Sequence, residues 1–129
     1  MAELNFNNVM IGSPQPDVLG EFYTTVFDRP ADMKDGGWYG WQVGAGWLSI
    51  GEHSEVKDQA KEPQRLIMNF ETKQVKEEFE RLRDAGVRVV KEPYEMPEGQ
   101  GMWIATLADP DGNYFQLVSP WEQGQSQGS

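Results

Sequence analysis

Runs of alternating apolar and polar residues predict strands along most of the chain. The predicted strands are residues 4–11, 38–43, 47–50, 66–70, 87–90, 102–107 and 114–118. Glycines at positions 36, 37, 44 and 46 separate the aromatic runs 38–43 and 47–50. Short β-rich pieces divided by glycine favour antiparallel strands joined by tight turns.

A helical period begins after the first predicted strand. Residues 13–17 contain two prolines, which suit a leading helical turn because the missing N–H has no partner there. Val18, Phe22 and Val26 then recur at helical spacing, and Leu19 and Tyr23 lie beside them. Together they predict an apolar helical stripe, with the helix ending before Pro30. Gly20 inside this helix suggests close approach of a neighbouring strand or of a second subunit.

A second helix is predicted from Thr72, which can cap it, to about Ala85. Gly86 stands at its C-terminal end, where glycine is favoured. Its predicted inner stripe is Val75, Phe79 and Leu82. Asp109-Pro110-Asp111-Gly112 predicts a turn between the last two strands, because proline fixes φ and glycine tolerates a positive φ.

The two halves of the chain therefore have the same order, β-α-β-β-β. An offset of 57 residues aligns Val75 with Val18, and also aligns Arg65 with Asn8. Near the end of each half an offset of 67 aligns Gln116 with Ser49. This repetition predicts an α+β fold of two tandem βαβββ modules, at about residues 4–60 and 61–121, within a single domain. Residues 122–129 are predicted to form a flexible tail.

Composition narrows the function classes. The chain has 129 residues, no cysteine and a net charge of −10, so disulfides and thiolate sites are excluded. The acidic balance disfavours nucleic acid and anionic membranes as partners. No run approaches the roughly 18 apolar residues of a membrane span, and the opening residues lack a secretory pattern. A cytoplasmic location is expected.

Three stretches resemble the vicinal oxygen chelate superfamily: Asn-Val-Met-Ile at 8–11, Phe22-Tyr23 in the first helix, and the turn at 109–113 before the last strand. This group includes glyoxalase I, extradiol dioxygenases, fosfomycin-resistance transferases and bleomycin-resistance proteins. The resemblance covers about residues 4–121. It implies paired βαβββ modules whose strands form a curled mixed sheet around a cavity, with the helices on the outer face. It also implies a homodimer.

In metal-dependent members of this superfamily, four strand positions supply His, Gln or Glu to one divalent ion. Matched residue by residue, these positions here are Asn8, Ser49, Arg65 and Gln116. Divalent cations favour carboxylate or imidazole ligands, whereas Arg65 has a permanent positive charge and no acceptor atom. We therefore predict no metal, no other cofactor and no catalytic residues.

The remaining candidates are aromatic residues and the single histidine. By strand period, Trp47 shares a face with Ser49 and Tyr114 shares one with Gln116, while Trp103 lies on another strand of the second module. Tryptophans most often serve packing, but here they could also line a pocket. His53, next to Glu52 and near Glu55, is interpreted as an exposed residue at the pocket mouth or, alternatively, as a proton shuttle.

Two functions remain open from the sequence. The first is a metal-free protein that binds a small aromatic or cationic molecule in its cavity, as bleomycin-resistance proteins bind their ligand. The predicted contacts are Asn8, Trp47, Ser49, Arg65, Trp103, Tyr114 and Gln116. Arg65 would pair with an anionic group of the ligand or with a buried acid of the protein. The alternative is a metal-dependent lyase, isomerase or dioxygenase of the same superfamily.

Overall fold

A computed structural model describes residues 3–96 and 101–120. The predicted tail at 122–129 lies outside these residues, as does Trp121. The chain forms two compact units that meet in sequence between Gln59 and Ala60, called the first half and the second half below. Each half contains one helix and a mixed sheet of four strands, so the predicted α+β fold of two tandem βαβββ modules is confirmed.

The first half runs β1 (Asn8–Gly12), α1 (Pro16–Phe27), β2 (Met33–Asp35), β3 (Trp38–Val43) and β4 (Gly46–Gly51). Its strand order is β1-β4-β3-β2, with β1 parallel to β4 and the other pairs antiparallel. Strand β1 is shorter than predicted, and Leu4 and Phe6 before it are 96% and 90% exposed.

The second half runs β5 (Met68–Glu71), α2 (Val75–Asp84), β6 (Arg88–Glu95), β7 (Trp103–Ala108) and β8 (Tyr114–Val118). A single 3-10 turn, Pro63–Arg65, precedes β5. The strand order β5-β8-β7-β6 repeats that of the first half, and β5 is parallel to β8. The turn before β8 is held by the buried Asp109, whose Oδ1 accepts hydrogen bonds from the backbone N–H groups of Asp111 and Asn113, each at 2.9 Å.

The two helices differ in how well their buried faces were predicted. In α2, the predicted stripe of Val75, Phe79 and Leu82 is buried, which confirms it. In α1 the predicted stripe is confirmed at Val26 and at the adjacent Leu19 and Tyr23, but not at Val18. The buried residues are Leu19, Gly20, Tyr23 and Val26, whereas Val18 is 46% exposed.

Close packing at Gly20 explains why Leu19 and not Val18 faces the sheet. A Cβ on Gly20 would lie 2.7 Å from Cε2 of Tyr39 on β3, so the absence of a side chain lets the tyrosine ring pass beneath the helix. The Tyr39 hydroxyl donates to Asp17 Oδ1 at 2.7 Å in the first turn of α1. Of the two explanations for Gly20, the structure therefore shows the neighbouring strand.

Matching corners between strand and helix support the internal repeat. The Ser13 N–H donates to the Gly51 carbonyl in the first half, and the Thr72 N–H donates to the Val118 carbonyl in the second. The hydroxyls of Ser13 and Thr72 each accept a hydrogen bond at 3.0 Å from the backbone N–H two residues ahead. None of the helices within the described residues is both long and apolar enough to cross a membrane.

Candidate functional site

The first-half sheet has one face against α1 and one face without a helix, here called the open face. Tyr39 and Trp41 point toward α1: Tyr39 passes below Gly20, and the Trp41 ring lies 5.4 Å from that of Phe27. Because successive strand residues alternate, Trp38, Gly40 and Gln42 belong to the open face. The register adds Trp47, Ser49 and Gly51 of β4 to the same face.

Trp47 lies across its neighbouring strand on this open face. A Cβ on Gly40 of β3 would lie 2.3 Å from the Trp47 Cζ2 atom, a distance that no real Cβ could occupy. Gly40 is buried and Trp47 is half-buried. The indole therefore covers Gly40, and one of its two faces is in contact with the sheet.

Trp38 lies across the sheet in the opposite direction. A Cβ on Gly51 of β4 would lie 2.4 Å from the Trp38 Cε3 atom, while the tryptophan itself remains 39% exposed. Trp38 begins β3 just after Gly36 and Gly37, whose φ values of 57° and 88° form a two-residue hairpin turn of the type with two positive φ angles. The turn fixes the position at which Trp38 enters the sheet.

Ser49 lies between the two indoles in the register. It pairs with Gly40 on β3, beneath the Trp47 ring, and its strand neighbour two residues on is Gly51, beneath the Trp38 ring. On its other side Ser49 pairs with Met10 of β1, which is 44% exposed. Two indoles, a hydroxyl and a thioether thus share one surface, here called the aromatic platform: Met10, Trp38, Trp47 and Ser49.

Asn8 and His53 lie at the edges of the aromatic platform. Asn8 pairs with Trp47, is exposed, and donates from Nδ2 to Asn7 Oδ1 at 2.9 Å. The His53 Cβ lies 2.9 Å from the position of a Cβ on Gly12, which is on the open face of β1. His53 Nδ1 accepts a hydrogen bond from the Glu55 N–H at 3.1 Å. In the neutral ring the proton therefore resides on Nε2.

Gln42 is a polar residue of the open face that several hydrogen bonds hold in place. Its Nε2 donates to the carbonyls of Gly44 at 2.9 Å and Gly46 at 3.2 Å, within its own hairpin. Its backbone N–H donates to Asp32 Oδ2 at 2.7 Å, and its carbonyl accepts from the Arg29 guanidinium. The Gln42 N–H, together with the Arg29 side chain, holds the pKa of Asp32 below its ordinary value.

The second-half sheet also has an open face, opposite α2. Gln116 pairs with Thr106, and its Nε2 donates to Thr106 Oγ1 at 3.0 Å. Tyr114, two residues before Gln116, lies on the same face and pairs with Ala108. Tyr114 and Gln116 are half-buried, and the shared face predicted for them is confirmed by this register.

Trp103 is placed differently from the prediction. Lys76 of α2 lies with Nζ 3.8 Å from the centroid of the Trp103 ring. Trp103 therefore points to the helix-bearing face, and its neighbours Ala105 and Leu107 on that face are buried. Strand alternation separates it from Thr106 and Gln116, so Trp103 does not belong to the same surface as Gln116.

Arg65 also lies outside the predicted position. It ends the 3-10 turn before β5, and its Nη1 is 3.0 Å from Glu62 Oε1, with 79% of the Arg65 side chain and 69% of the Glu62 side chain exposed. The register explains the error. Asn69 pairs with Gln116 as Met10 pairs with Ser49, so Ile67 rather than Arg65 is in step with Asn8. The offset on the first strands is 59 residues. The helices do not share this offset, since the buried residues Leu19, Tyr23 and Val26 of α1 correspond to Val75, Phe79 and Leu82 of α2 at an offset of 56, so an offset taken from the helices could not be carried over to the strands.

The superfamily's divalent metal fits these residues poorly. With Ile67 in place of Arg65, the four positions carry a hydrocarbon, a serine hydroxyl and the amides of Asn8 and Gln116, with no carboxylate or imidazole. Gln116 already uses its amide N–H on Thr106. Among residues 3–96 and 101–120, no three His, Asp or Glu side chains gather as a metal site would require. We derive no chemical step through a metal.

The sequence reading missed Trp38, Gly40 and Gly51 as members of the site. The available signal was the alternation in Trp38-Tyr39-Gly40-Trp41, which places the first tryptophan and the glycine on one face and the second tryptophan on the other. Glycine within a strand indicates close approach of another group, which here is an indole ring.

Comparison with known proteins gives a consistent result. A family model described as Glyoxalase-like domain matches residues 8–118. A glyoxalase/bleomycin resistance protein/dioxygenase family enzyme from Burkholderia phytofirmans PsJN superposes with a TM-score of 0.71 at 21% identity, covering 90% of this chain and 98% of the other.

Two further solved structures are similar. A glyoxalase/bleomycin resistance protein from Albidiferax ferrireducens T118 gives a TM-score of 0.70 at 20% identity, over 89% of this chain and 98% of the other. A glyoxalase-related enzyme from Fulvimarina pelagi gives 0.72 at 16% identity, over 90% and 88%. Likeness at these identities shows the fold alone. No curated protein matches the sequence significantly.

Proposed function

The chain belongs to the glyoxalase-like domain family, within the vicinal oxygen chelate superfamily that its sequence resembles, and we propose that it binds a small planar molecule, aromatic or cationic, without a metal. The binding surface is the aromatic platform of the first half, with Asn8 and His53 at its edges. The observation that carries this proposal is the pair of indoles lying across Gly40 and Gly51.

The orientation of the indoles supports stacking. Each ring is in contact with the sheet on one side, which fixes its plane, and Trp38 remains 39% exposed. Planar ligands and organic cations bind to such rings through dispersion and through the negative potential of the π-face. Trp41, by contrast, is fully buried and serves the core beneath α1.

Charge favours a cation over an anion. The net charge of −10 raises the local concentration of cations and lowers that of anions. With Arg65 removed from the predicted contacts, the platform contains no basic side chain in the register described for β1, β3 and β4. The ligand contacts predicted for Tyr114 and Gln116 in the second half stay predictions.

Calorimetric titration with N-methylquinolinium, a planar cation, tests the proposal. We expect binding to the unmodified protein and a roughly 5- to 30-fold loss in Trp47→Leu, because a stacked ring contributes about 1–2 kcal/mol. Trp103→Leu is the matched control, since it removes an indole from the helix-bearing face of the other half. If Trp47→Leu and the unmodified protein bind N-methylquinolinium with equal affinity, the aromatic platform is not the binding surface.

The alternative, a metal-dependent lyase, isomerase or dioxygenase, is tested in the same instrument. Titration with Mn²⁺, Ni²⁺, Zn²⁺ and Fe²⁺ should give no tight stoichiometric site; finding one would favour the enzyme. Native mass spectrometry of protein purified without added metal reports the metal content, any retained organic ligand and the subunit number together. The predicted homodimer and cytoplasmic location rest on the resemblance and on composition and stay predictions.

A further inference from the structure

We propose that the aromatic platform selects planar cations that carry N–H donors, such as protonated amino-heteroaromatics, and that Gln42 and Asp35 provide the acceptors. This inference rests on the proposed function, because it concerns selectivity at the same surface. Gln42 and Asp35 are assigned as specificity-determining residues of the open face.

The first step is the orientation of the Gln42 amide. Both of its hydrogen bonds, to the Gly44 and Gly46 carbonyls, require an N–H donor, so Nε2 must face the hairpin turn. Two donated bonds use both protons of the amide. The polar atom that remains for a ligand is the carbonyl oxygen Oε1, which can only accept a hydrogen bond. Gln42 is exposed and is the direct cross-strand partner of Trp47.

The second step is the position of Asp35. It ends β2 and pairs with Trp38 across the two-residue turn at Gly36-Gly37, so both side chains project from the open face. Directly paired residues have Cβ atoms about 5 Å apart. The preceding strand residue, Lys34, points to the other face, where its Nζ lies 5.5 Å from the Tyr39 ring centroid.

The third step is that no ion pair within the described part of the chain occupies the Asp35 carboxylate, which leaves it able to bind a ligand. Asp35 is exposed, and within residues 3–96 and 101–120 no basic side chain lies at ion-pair distance from it. The neighbouring Asp32, on the same connection, is instead paired with Arg29 at 2.9 Å. One of the two carboxylates is thus committed to the fold, and the other borders the indoles.

These groups together define a ligand class. The indoles require a flat ring system, and their π-faces favour positive charge. An acceptor oxygen beside Trp47 and a carboxylate beside Trp38 favour N–H groups on the ligand, since charge-assisted hydrogen bonds to carboxylate are the stronger kind. A quaternary cation has the positive charge that the indole π-faces favour, but it has no N–H group. It therefore cannot donate a hydrogen bond to Gln42 or Asp35.

Three probes with the same planar ring system separate the contributions of ring stacking, positive charge and N–H donors to affinity. They are quinoline, uncharged at pH 7.5; N-methylquinolinium, a cation without N–H; and 4-aminoquinoline, a cation with N–H donors at that pH. We expect affinity to rise in this order. Asp35→Asn should lower the affinity for 4-aminoquinoline by about 10-fold and that for N-methylquinolinium by less, and leave quinoline unchanged.

The matched control for charge is Glu21→Gln, which makes the same change on the exposed side of α1. Gln42→Met removes the acceptor and keeps the side-chain length, and quinoline affinity shows whether the platform is intact in that variant. If Asp35→Asn and Glu21→Gln weaken 4-aminoquinoline equally, the effect is long-range charge and the assignment of Asp35 is overturned. A 4-aminoquinoline affinity no higher than that of N-methylquinolinium overturns the inference as a whole.

The outcomes also separate this inference from the proposed function. If none of the three probes binds, the proposed function fails; if quinoline and N-methylquinolinium bind without a preference for N–H donors, only the selectivity fails. Each titration is repeated at several protein concentrations with sedimentation analysis. Affinities that weaken as the protein self-associates would assign the open face to a second copy of the chain and would overturn both.

Discussion

The open faces of the two halves differ although the strands beneath them are arranged alike. In each half the last two strands pair in the same register: Gly40 opposite Ser49 in the first, and Thr106 opposite Gln116 in the second. Where the first half has Gly40, with an indole lying on it, the second has Thr106, whose hydroxyl accepts a hydrogen bond from Gln116.

The position of Gly51 also carries a larger residue in the second half. In the first half Gly51 lies beneath the Trp38 ring, one position beyond the Tyr39–Ile50 pair. The pair at the corresponding register in the second half is Val118 with Ile104. Tyr114, which stands in the register of Trp47, has Thr106 on the adjacent strand rather than a glycine. A sheet face thus becomes an aromatic platform where each large ring is placed next to a residue without a side chain. The topology alone does not decide it.

Making the first half more like the second should have the largest effect. Gly40→Ala places a Cβ 2.3 Å from the Trp47 ring, and the ring must move because the backbone is held by two neighbouring strands. We expect at least a roughly 10-fold loss of N-methylquinolinium affinity and about 1–3 kcal/mol lower free energy of unfolding, from overpacking. Calorimetry and urea unfolding measure the two. Gly46→Ala is the control, because its nearest atom is 3.8 Å away; a similar loss there would refute the explanation.

Removing the Tyr39 hydroxyl tests how the first half positions α1. Ala105 pairs with Leu117 in the second half as Tyr39 pairs with Ile50, and it has no hydroxyl. Tyr39→Phe should lower the free energy of unfolding by about 1.5 kcal/mol, the contribution of a hydrogen bond to a charged acceptor. The hydrogen bond to Asp17, with burial second, raises the pKa of Tyr39 to about 12 from 10.0.

The pH dependence of this difference follows from the raised pKa. The unfolded protein releases the tyrosine proton near pH 10 and the folded protein only near pH 12, so the extra stability is present below pH 10 and is lost as the pH rises to about 12. The difference between unmodified protein and Tyr39→Phe, measured by urea unfolding at pH 8 and pH 11, should therefore shrink.

Lys76→Met sharpens the contrast in how the halves use tryptophan. In the second half Trp103 is covered by a cation on the helix side at 3.8 Å, so removing that charge should cost about 0.5–1 kcal/mol. Lys34→Met is the comparison in the first half, where the Nζ to Tyr39 centroid distance is 5.5 Å, and its effect should be smaller. Equal effects in thermal unfolding would show that the distance to the ring does not matter.

The smallest effect is expected at Arg65. Arg65→Glu breaks an exposed ion pair with Glu62, and such pairs contribute about 0–1 kcal/mol. Probe affinity should be unchanged and the free energy of unfolding should change by less than about 0.5 kcal/mol. If calorimetry shows that Arg65→Glu no longer binds the probes, Arg65 is part of the binding site after all.

The fold was predictable from the sequence because its signals are local. The α2 stripe and the 109–113 turn depend on neighbouring residues only, and Ser49 and Gln116 were matched at an offset that the register reproduces. The α1 stripe was predicted too broadly, because Val18 and Leu19 are both apolar and only Leu19 is buried. Only the approach of the Tyr39 ring to Gly20 decides between them, and that contact is non-local.

The site was less predictable for the same reason. Whether a tryptophan lies flat or stands upright depends on the residue across the strand, so Trp38 and Trp47 could be interpreted only together with Gly51 and Gly40. Trp103 was predicted among the ligand contacts without a face, because its strand has apolar residues on both faces, and the alternation that reveals orientation is absent there.

The flat seating of the two indoles has a consequence for rates. Because the sheet already holds each ring in place, a ligand meets a surface that needs no side-chain rearrangement before contact. Association should then be governed by diffusion and by long-range attraction of cations to an acidic protein, and should differ little between related ligands. Ligands would therefore differ mainly in their dissociation rates. Those that form hydrogen bonds with Gln42 or Asp35 should dissociate slowly, and those that only stack on the indoles should dissociate fast.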